Sequence, residues 1–368
     1  MRVLVTGSRG FIGKNLIVRL GEQIGYETLE FARGDSEESL KIFVGGVDVI
    51  VHLAGENRPK DAAAFAQVNA GLTRTLCAAI SASRRKIPLI LASSIQAELA
   101  NPYGESKRSA ELAVEQLAAE HANPAVIFRL PNVFGKWCKP NYNSVVATFC
   151  HNIANDLPIR VNDPSTKLRL VYIDDVVSAI LREIESTVPG LRQVTVDPEY
   201  SITLGDLAAQ IEAFRNCRMS LLSERVGTGL TRALYATYVS HLPTTKFAYD
   251  LPCYRDARGE FVEMLKTPDC GQFSFFTARP GVTRGGHYHH SKSEKFLVIR
   301  GSARFRFRHM VTNETYELFT SGGQPRVVET VPGWTHDITN MGTEEMIVML
   351  WANEIFDRVR PDTVSSKV

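Results

Sequence analysis

Near residue 245 the hydrophobic pattern of this 368-residue chain changes period, and the change predicts a different fold class on each side. Upstream, short β-branched runs alternate with longer segments of helical period. Arg2 to Val5 reads as a strand, Phe11 to Leu20 as a helix and Tyr26 to Phe31 as a second strand. Val47 to Leu53 is an apolar run of the kind a strand shows when both its faces are covered. Phe65 to Ala82 reads as a helix, Pro88 to Ala92 as a strand, Tyr103 to Ala119 as a helix and Ala125 to Leu130 as a strand. Such alternation predicts an α/β fold around a doubly wound parallel sheet. From Gly259 onward short strands are separated by turn residues, and helical period is nearly absent. That pattern predicts a compact all-β barrel or sandwich. The stretch His241 to Pro252 carries two prolines and joins the parts, so the expected domains are 1–245 and 246–368. With 44% apolar and 22% charged residues, the chain can bury its cores without disulfides.

Directly after the first strand comes Thr6-Gly7-Ser8-Arg9-Gly10-Phe11-Ile12-Gly13. Gly7 permits a tight turn, Gly10 lets backbone approach a pyrophosphate, and Gly13 lets the helix pack close to the sheet. A lone glycine triplet is weak, but here it falls between a strand and a helix, the context the motif requires. Cofactor choice belongs at the end of the second strand, where an acid binds the 2′-hydroxyl of NAD and an arginine suits the 2′-phosphate of NADP. Ending that strand at Phe31 puts Ala32 at the acidic position and Arg33 beside it, which favours NADPH. A register two residues off would make Glu30 the acidic residue instead.

Asn101-Pro102-Tyr103-Gly104-Glu105-Ser106-Lys107 places Tyr-x-x-x-Lys at the start of a helix, with both side chains on one face. A free phenol titrates near pH ~10 and is a poor acid–base group at neutrality. A neighbouring ammonium is expected to lower that pKa. Upstream, Ser93-Ser94 follows a strand, and one of these hydroxyls should hydrogen-bond a substrate carbonyl. Tyr-x-x-x-Lys alone is a common accident. In this order, after the glycine loop and a serine pair, it resembles the extended short-chain dehydrogenase/reductase family, over roughly residues 1–245. The resemblance implies a Rossmann-type sheet, with Tyr103, Lys107 and Ser93 or Ser94 catalytic. It also implies that Leu53, Ala54 and Gly55 of His52-Leu53-Ala54-Gly55, Asn69 and Lys107 lie against the cofactor. Val68-Asn69-Ala70, the run Arg129 to Gly135 and the run Val171 to Val176 are similar to its nucleotide-sugar members. Those members often carry Val-Tyr-Gly after the serine; this chain has Ile95-Gln96-Ala97, which leaves Ser93 and Ser94 open.

The C-terminal third holds Gly281-x5-His287-Tyr288-His289-x4-Glu294-x6-Gly301, then Pro332-Gly333-Trp334-Thr335-His336-x3-Asn340. Residues two apart on a strand share a face, so His287 and His289 converge, with Glu294 and His336 in reach. Three imidazoles and a carboxylate suit zinc, with iron, nickel or manganese also compatible. These spacings resemble the two cupin motifs, the second one residue short, and imply a jelly-roll domain. Pro280 to His287, the pattern Trp351-Ala352-Asn353-Glu354-x-Phe356 and Pro361-Asp362-Thr363 are similar to deoxysugar-nucleotide epimerases and isomerases of the cupin superfamily.

A 4-keto sugar has an acidic hydrogen at C3, so an epimerase can invert C3 only until a reductase makes C4 an alcohol. Cupin first and reductase second is therefore the expected order. The whole chain resembles the bifunctional capsular-polysaccharide and O-antigen enzymes that act on UDP-2-acetamido-2,6-dideoxy-hexos-4-uloses. That resemblance implies UDP-N-acetyl-6-deoxy-L-talosamine as product, on the route to UDP-N-acetyl-L-fucosamine. His290, Tyr288 and Lys292 are candidates for the C3 base. The alternative is a plain reductase with a structural or dimerising zinc cupin. A net charge of +2 gives no field for nucleic acid. No apolar run is long enough for a membrane span. Six scattered cysteines (77, 138, 150, 217, 253 and 270) and the absence of a signal-like opening point to the cytoplasm. By analogy with cupins, a homodimer or higher homo-oligomer is expected.

Overall fold

The computed structural model describes residues 1–57, 65–186, 188–256, 259–262, 265, 267, 271–354 and 359–368; Cys270 and Phe356 lie outside them. Six parallel strands form the first sheet, in the order Glu27–Phe31, Arg2–Thr6, Val49–His52, Leu89–Ser94, Ala125–Leu130 and Leu191–Val194. The order reverses beside Arg2–Thr6, which sets the glycine loop at the crevice where such sheets bind ligands. The central strands are apolar because helices cover both faces: Val3, Leu4, Val5, Ile50, Val51 and Leu89 are fully buried. Leu40, Val44, Leu76, Ile80 and Val114 pack from three helices onto one face of this core. Each such side chain contributes about 1.5–3 kcal/mol by leaving water.

Helix starts follow local chemistry. Ser36 caps the helix Glu37–Gly46 through the N–H of Ser39, and Glu37 and Glu38 occupy its first turn. The pattern above did not predict this helix. Asn101 caps Pro102–His121 through the N–H of Gly104, with Pro102 in the first turn. The predicted helix 65–82 divides into a π-helical turn, Ala66–Gly71, and the α-helix Leu72–Ser83.

The chain forms two compact units that are not contiguous in sequence. The first comprises Met1–Ser144 and Leu168–Ile202; the second comprises Val145–Lys167 and Thr203–Val368. The boundary expected at 245/246 follows the change of sequence pattern, whereas the packing also gathers the helices Val145–Ala154, Leu204–Ser220 and Gly229–Ser240 into the second unit.

The second unit contains two five-stranded antiparallel sheets, the jelly-roll arrangement of a cupin. One runs Ala248–Asp250, Arg326–Glu329, Glu294–Arg300, Met346–Ala352, Gln272–Ala278. The other runs Thr315–Ser321, Ser302–His309, Trp334–Asn340, Thr283–Tyr288, Val364–Ser365. Two helices are tied to these strands through Glu329. It accepts from Lys295 at 2.5 Å and from Tyr235 at 2.8 Å, and pairs with Arg218. Burial alone would raise the Glu329 carboxyl; Lys295 and Arg218 hold it down to about 2. Removing one partner of such a fully buried network costs ~3–5 kcal/mol, because a charge is left unpaired. No described helix is long and apolar enough to cross a membrane. Cys77, Cys138, Cys150 and Cys217 are buried and form no disulfide.

Candidate active site and metal centre

The glycine loop is as tight as its motif requires. Gly7 has φ +68°, and a Cβ there would lie 2.7 Å from the Ala54 nitrogen. A Cβ on Gly13 would lie 2.3 Å from the Gly7 carbonyl oxygen. The N–H of Gly10 donates to the Gly7 oxygen at 2.9 Å, and the helix Phe11–Gly21 starts immediately after. Ser8 is buried within the loop, and its hydroxyl has no hydrogen-bond partner there. Arg9, Phe11 and Ile12 are more exposed. Leu53 and Ala54 pack against Gly7 of this loop, held by Thr6, whose Oγ1 accepts from the Ala54 N–H at 3.3 Å, while Gly55 lies beside Asn69 and Lys107.

The second strand ends at Phe31, so Ala32 and Arg33 follow it while Glu30 is paired within it, opposite Val5. Asp35 accepts from the Ala32 N–H at 2.7 Å and closes the turn. Arg33 reaches Glu56 at 2.5 Å, and Tyr142 donates to the same carboxylate at 2.8 Å. Because Arg2–Thr6 lies between the strands that precede Arg33 and Glu56, this ion pair spans the side of the sheet where the glycine loop sits.

Ser93 and Ser94 are distinguished by their partners. Ser93 donates to Glu111 at 2.6 Å, while Ser94, the serine that bears on the Tyr103 phenol, accepts from the Gln96 N–H at 3.2 Å through Oγ. Glu111 is fully occupied, since Arg129 and Arg108 also donate to it. Burial of the Tyr103 phenol pushes its pKa up, and Ser94 partly offsets that. The ammonium expected to lower it, Lys107 Nζ, lies 6.0 Å from the ring centroid and donates to the Ala92 carbonyl at 3.1 Å. Burial holds Lys107 itself down to about 8. Phe65 packs edge-on against the Tyr103 ring at 5.7 Å. Asn69 ties this region together: it accepts from the Glu56 N–H at 2.7 Å and donates to Ser106 at 2.9 Å. His52 is buried between Thr6 at 2.6 Å and Thr73 at 2.9 Å, and burial lowers its pKa to about 3. Glu111, Ser106 and Glu56 were not singled out in the sequence. The four-residue spacing of Lys107 and Glu111 was the one available signal.

In the second unit His287, His289, Glu294 and His336 converge, their ligand atoms all within 4.8 Å of one another. A bulge between Gly285 and His287 lets this happen. Gly285 and Gly286 both have positive φ, and a Cβ on Gly285 would lie 2.9 Å from the His336 carbonyl oxygen. His289 Nε2 is 3.1 Å and His336 Nε2 is 3.5 Å from Glu294 Oε2. The longer distance leaves the buried His336 nitrogen without a proper hydrogen bond. Three imidazoles and a carboxylate gathered this closely fit a divalent cation, as zinc bonds of about 2.0–2.2 Å require. Of the candidate bases, Lys292 reaches Glu294 Oε1 at 2.8 Å, while His290 packs edge-on against Tyr288 at 5.4 Å. His289 Nδ1 meets the carbonyl oxygen of Asp362, a residue not singled out for any role in the sequence.

The sequence profile described as "NAD dependent epimerase/dehydratase family" matches residues 3–195, and that described as "Polysaccharide biosynthesis C-terminal domain" matches residues 254–364. A protein of Pseudomonas aeruginosa, named UDP-2-acetamido-2,6-beta-L-arabino-hexul-4-ose reductase, is 56% identical over 368 residues, covering 100% of this chain and 99% of that protein. The crystal structure of the capsular polysaccharide assembling protein CapF from Staphylococcus aureus is similar over 100% of both chains, with 40% identity and a TM-score of 0.66. UDP-glucuronic acid 4-epimerase from Bacillus cereus, solved with NAD, shares the fold over 58% of this chain and 83% of its own, at 19% identity and a TM-score of 0.52.

Proposed function

The chain belongs to the NAD dependent epimerase/dehydratase family, and from that premise we propose that it reduces the 4-keto group of a UDP-2-acetamido-2,6-dideoxy-hexos-4-ulose with NADPH. The identity to a reductase of that substrate class supports the choice of sugar. We assign reduction to residues 1–245 and a preceding C3 epimerisation to the cupin, residues 246–368.

The observation that carries the reading is the gathering of Ser94, Tyr103 and Lys107: the Ser94 hydroxyl bears on the Tyr103 phenol, and Lys107 Nζ lies 6.0 Å from its ring centroid on the same helix. Bound NADPH supplies the hydride that C4 receives. Gly7, Ser8, Arg9, Gly10, Phe11 and Ile12 would receive its pyrophosphate, with Gly13 keeping the helix close beneath them, and Arg33 would receive its 2′-phosphate. Leu53, Ala54, Gly55 and Asn69 line its path. Ser94 donates to the C4 carbonyl oxygen and orients it. Tyr103 gives that oxygen its proton; a phenol whose pKa burial raises stays protonated at neutrality, the form reduction needs. Lys107 binds the ribose hydroxyls and stabilises the phenolate left behind. Ser93 holds Glu111 and takes no part in proton transfer.

His287, His289, Glu294 and His336 would hold Zn²⁺ or a related divalent metal, whose Lewis acidity favours the C3 carbanion. Epimerisation must come first, because the C3 hydrogen loses its acidity once C4 is an alcohol. The product is then UDP-N-acetyl-6-deoxy-L-talosamine, a capsule or O-antigen precursor toward UDP-N-acetyl-L-fucosamine. A cytoplasmic homo-oligomer suits this role. Tyr103→Phe should abolish NADPH oxidation while C3 exchange continues. A variant that reduces at the normal rate would overturn the assignment.

The convergence of four protein ligands favours a second reading, since closed four-ligand zinc sites are commonly structural. The cupin would then serve stability or dimerisation. Incubation with the keto sugar in heavy water without NADPH separates the two: deuterium at C3 supports the epimerase, and none supports the structural role.

A further inference from the structure

We propose that Asp362 is the positioning residue of the four-ligand cluster, and that Asp362–Val368 holds all the ligand-bearing segments in register. The inference rests on reading the cluster as a metal centre.

Asp362 acts through two groups at once. Its carboxylate accepts three successive backbone N–H groups, from His290 through Oδ1 and from Ser291 and Lys292 through Oδ2, each at 2.8 Å. The Ser291 hydroxyl donates to Oδ2 at 3.0 Å. This is the turn between His289 and Glu294, and three N–H groups aimed at one anion fix its path. The backbone carbonyl of Asp362 takes the other role. It accepts from His289 Nδ1, so in the neutral imidazole the lone pair lies on Nε2, the nitrogen that faces Glu294 and that a metal would take. One residue thus sets both the tautomer of a ligand and the loop leading to the next.

The residues after Asp362 reach the remaining ligands. Ser365 pairs with His287 and Val364 with Tyr288. The Ser366 N–H donates to the Gly286 carbonyl at 2.9 Å, at the bulge that aims His287. The Thr335 hydroxyl, beside His336, donates to the Ser366 carbonyl at 2.8 Å. From the helix Gly229–Ser240, Arg232 bonds Ser291 Oγ at 2.6 Å and Glu354 at 2.6 Å, bracing the turn from its far side.

The test strips the full chain of metal and titrates it with Zn²⁺ against a chelating dye, then with Co²⁺ read by its visible ligand-field bands. Asp362→Ala is expected to weaken Zn²⁺ binding about 10–100-fold and to shift the Co²⁺ bands. Asp362→Asn keeps the side-chain shape and one acceptor oxygen, so its loss should be smaller; it carries the test if the alanine variant does not fold. A folded variant with unchanged Zn²⁺ affinity and Co²⁺ bands overturns the inference, even if its thermal stability has dropped. An intact chain that binds neither metal overturns instead the reading of the cluster on which the inference rests.

Discussion

The hydroxyl of Ser94 bears on the phenol of Tyr103 and partly offsets the rise that burial imposes on its pKa. Its neighbour Ser93 is committed to Glu111 at 2.6 Å. The two serines therefore separate in their effects. Ser94→Ala should lower kcat/KM about 10²–10³-fold with little change in stability, as loss of an oxyanion donor does. Ser93→Ala should leave the rate within a few-fold and cost ~1–3 kcal/mol, because Glu111 loses a buried donor. Steady-state kinetics and denaturant unfolding on both variants decide this.

Arg33 stands after the second strand with its side chain 85% exposed, paired with Glu56. If it binds the 2′-phosphate, Arg33→Ala should weaken NADPH by about 10–100-fold, the value of ~1.5–3 kcal/mol for a charge-assisted bond, and leave NADH unchanged. Glu56→Gln releases the guanidinium from an exposed ion pair worth at most ~1 kcal/mol, so NADPH should tighten less than about fivefold. Fluorescence titration with both nucleotides checks the pair.

His52 is held neutral, its pKa lowered to about 3 by burial. Below its unfolded pKa of 6.5 the unfolded chain binds a proton that the folded chain refuses. Its contribution is thus intact above pH ~6.5 and lost as pH falls toward 3. Between pH 7 and pH 5 the loss should be about 2 kcal/mol. His52→Gln should flatten that part of the curve in denaturant unfolding; an unchanged slope would contradict the burial argument.

Gly13 admits no side chain, since a Cβ would lie 2.3 Å from the Gly7 carbonyl oxygen. Gly13→Ala should cost ~1–3 kcal/mol by overpacking. It should also displace the Gly7–Ser8 turn and lower nucleotide affinity more than tenfold. Calorimetric titration with NADPH measures the second effect apart from the first.

Local signals in the sequence carried most of the site. Gly7, Gly10 and Gly13 declared the turn because each glycine serves a steric need met within a few residues. His287, His289, Glu294 and His336 were legible because strand alternation and one turn bring them together. What was hidden depended on distance along the chain or on where a strand stops. Ser94 separates from Ser93 only because it ends Leu89–Ser94 and starts the turn Ile95–Glu98. Asp362 lies 73 residues from the histidine it contacts. The rise in the Tyr103 pKa comes from burial, which no spacing reveals. The packing of Val145–Ala154 with helices after residue 203 is likewise a tertiary matter.

Hydride delivery to C4 is tested most directly with NADPH deuterated at the transferable position of the nicotinamide. The intact chain, given the UDP-linked 4-keto sugar, should yield a product with one deuterium at C4, and Tyr103→Phe should yield none. Consumption of the keto sugar without deuterium at C4, or no oxidation of NADPH by the intact chain, would contradict the account.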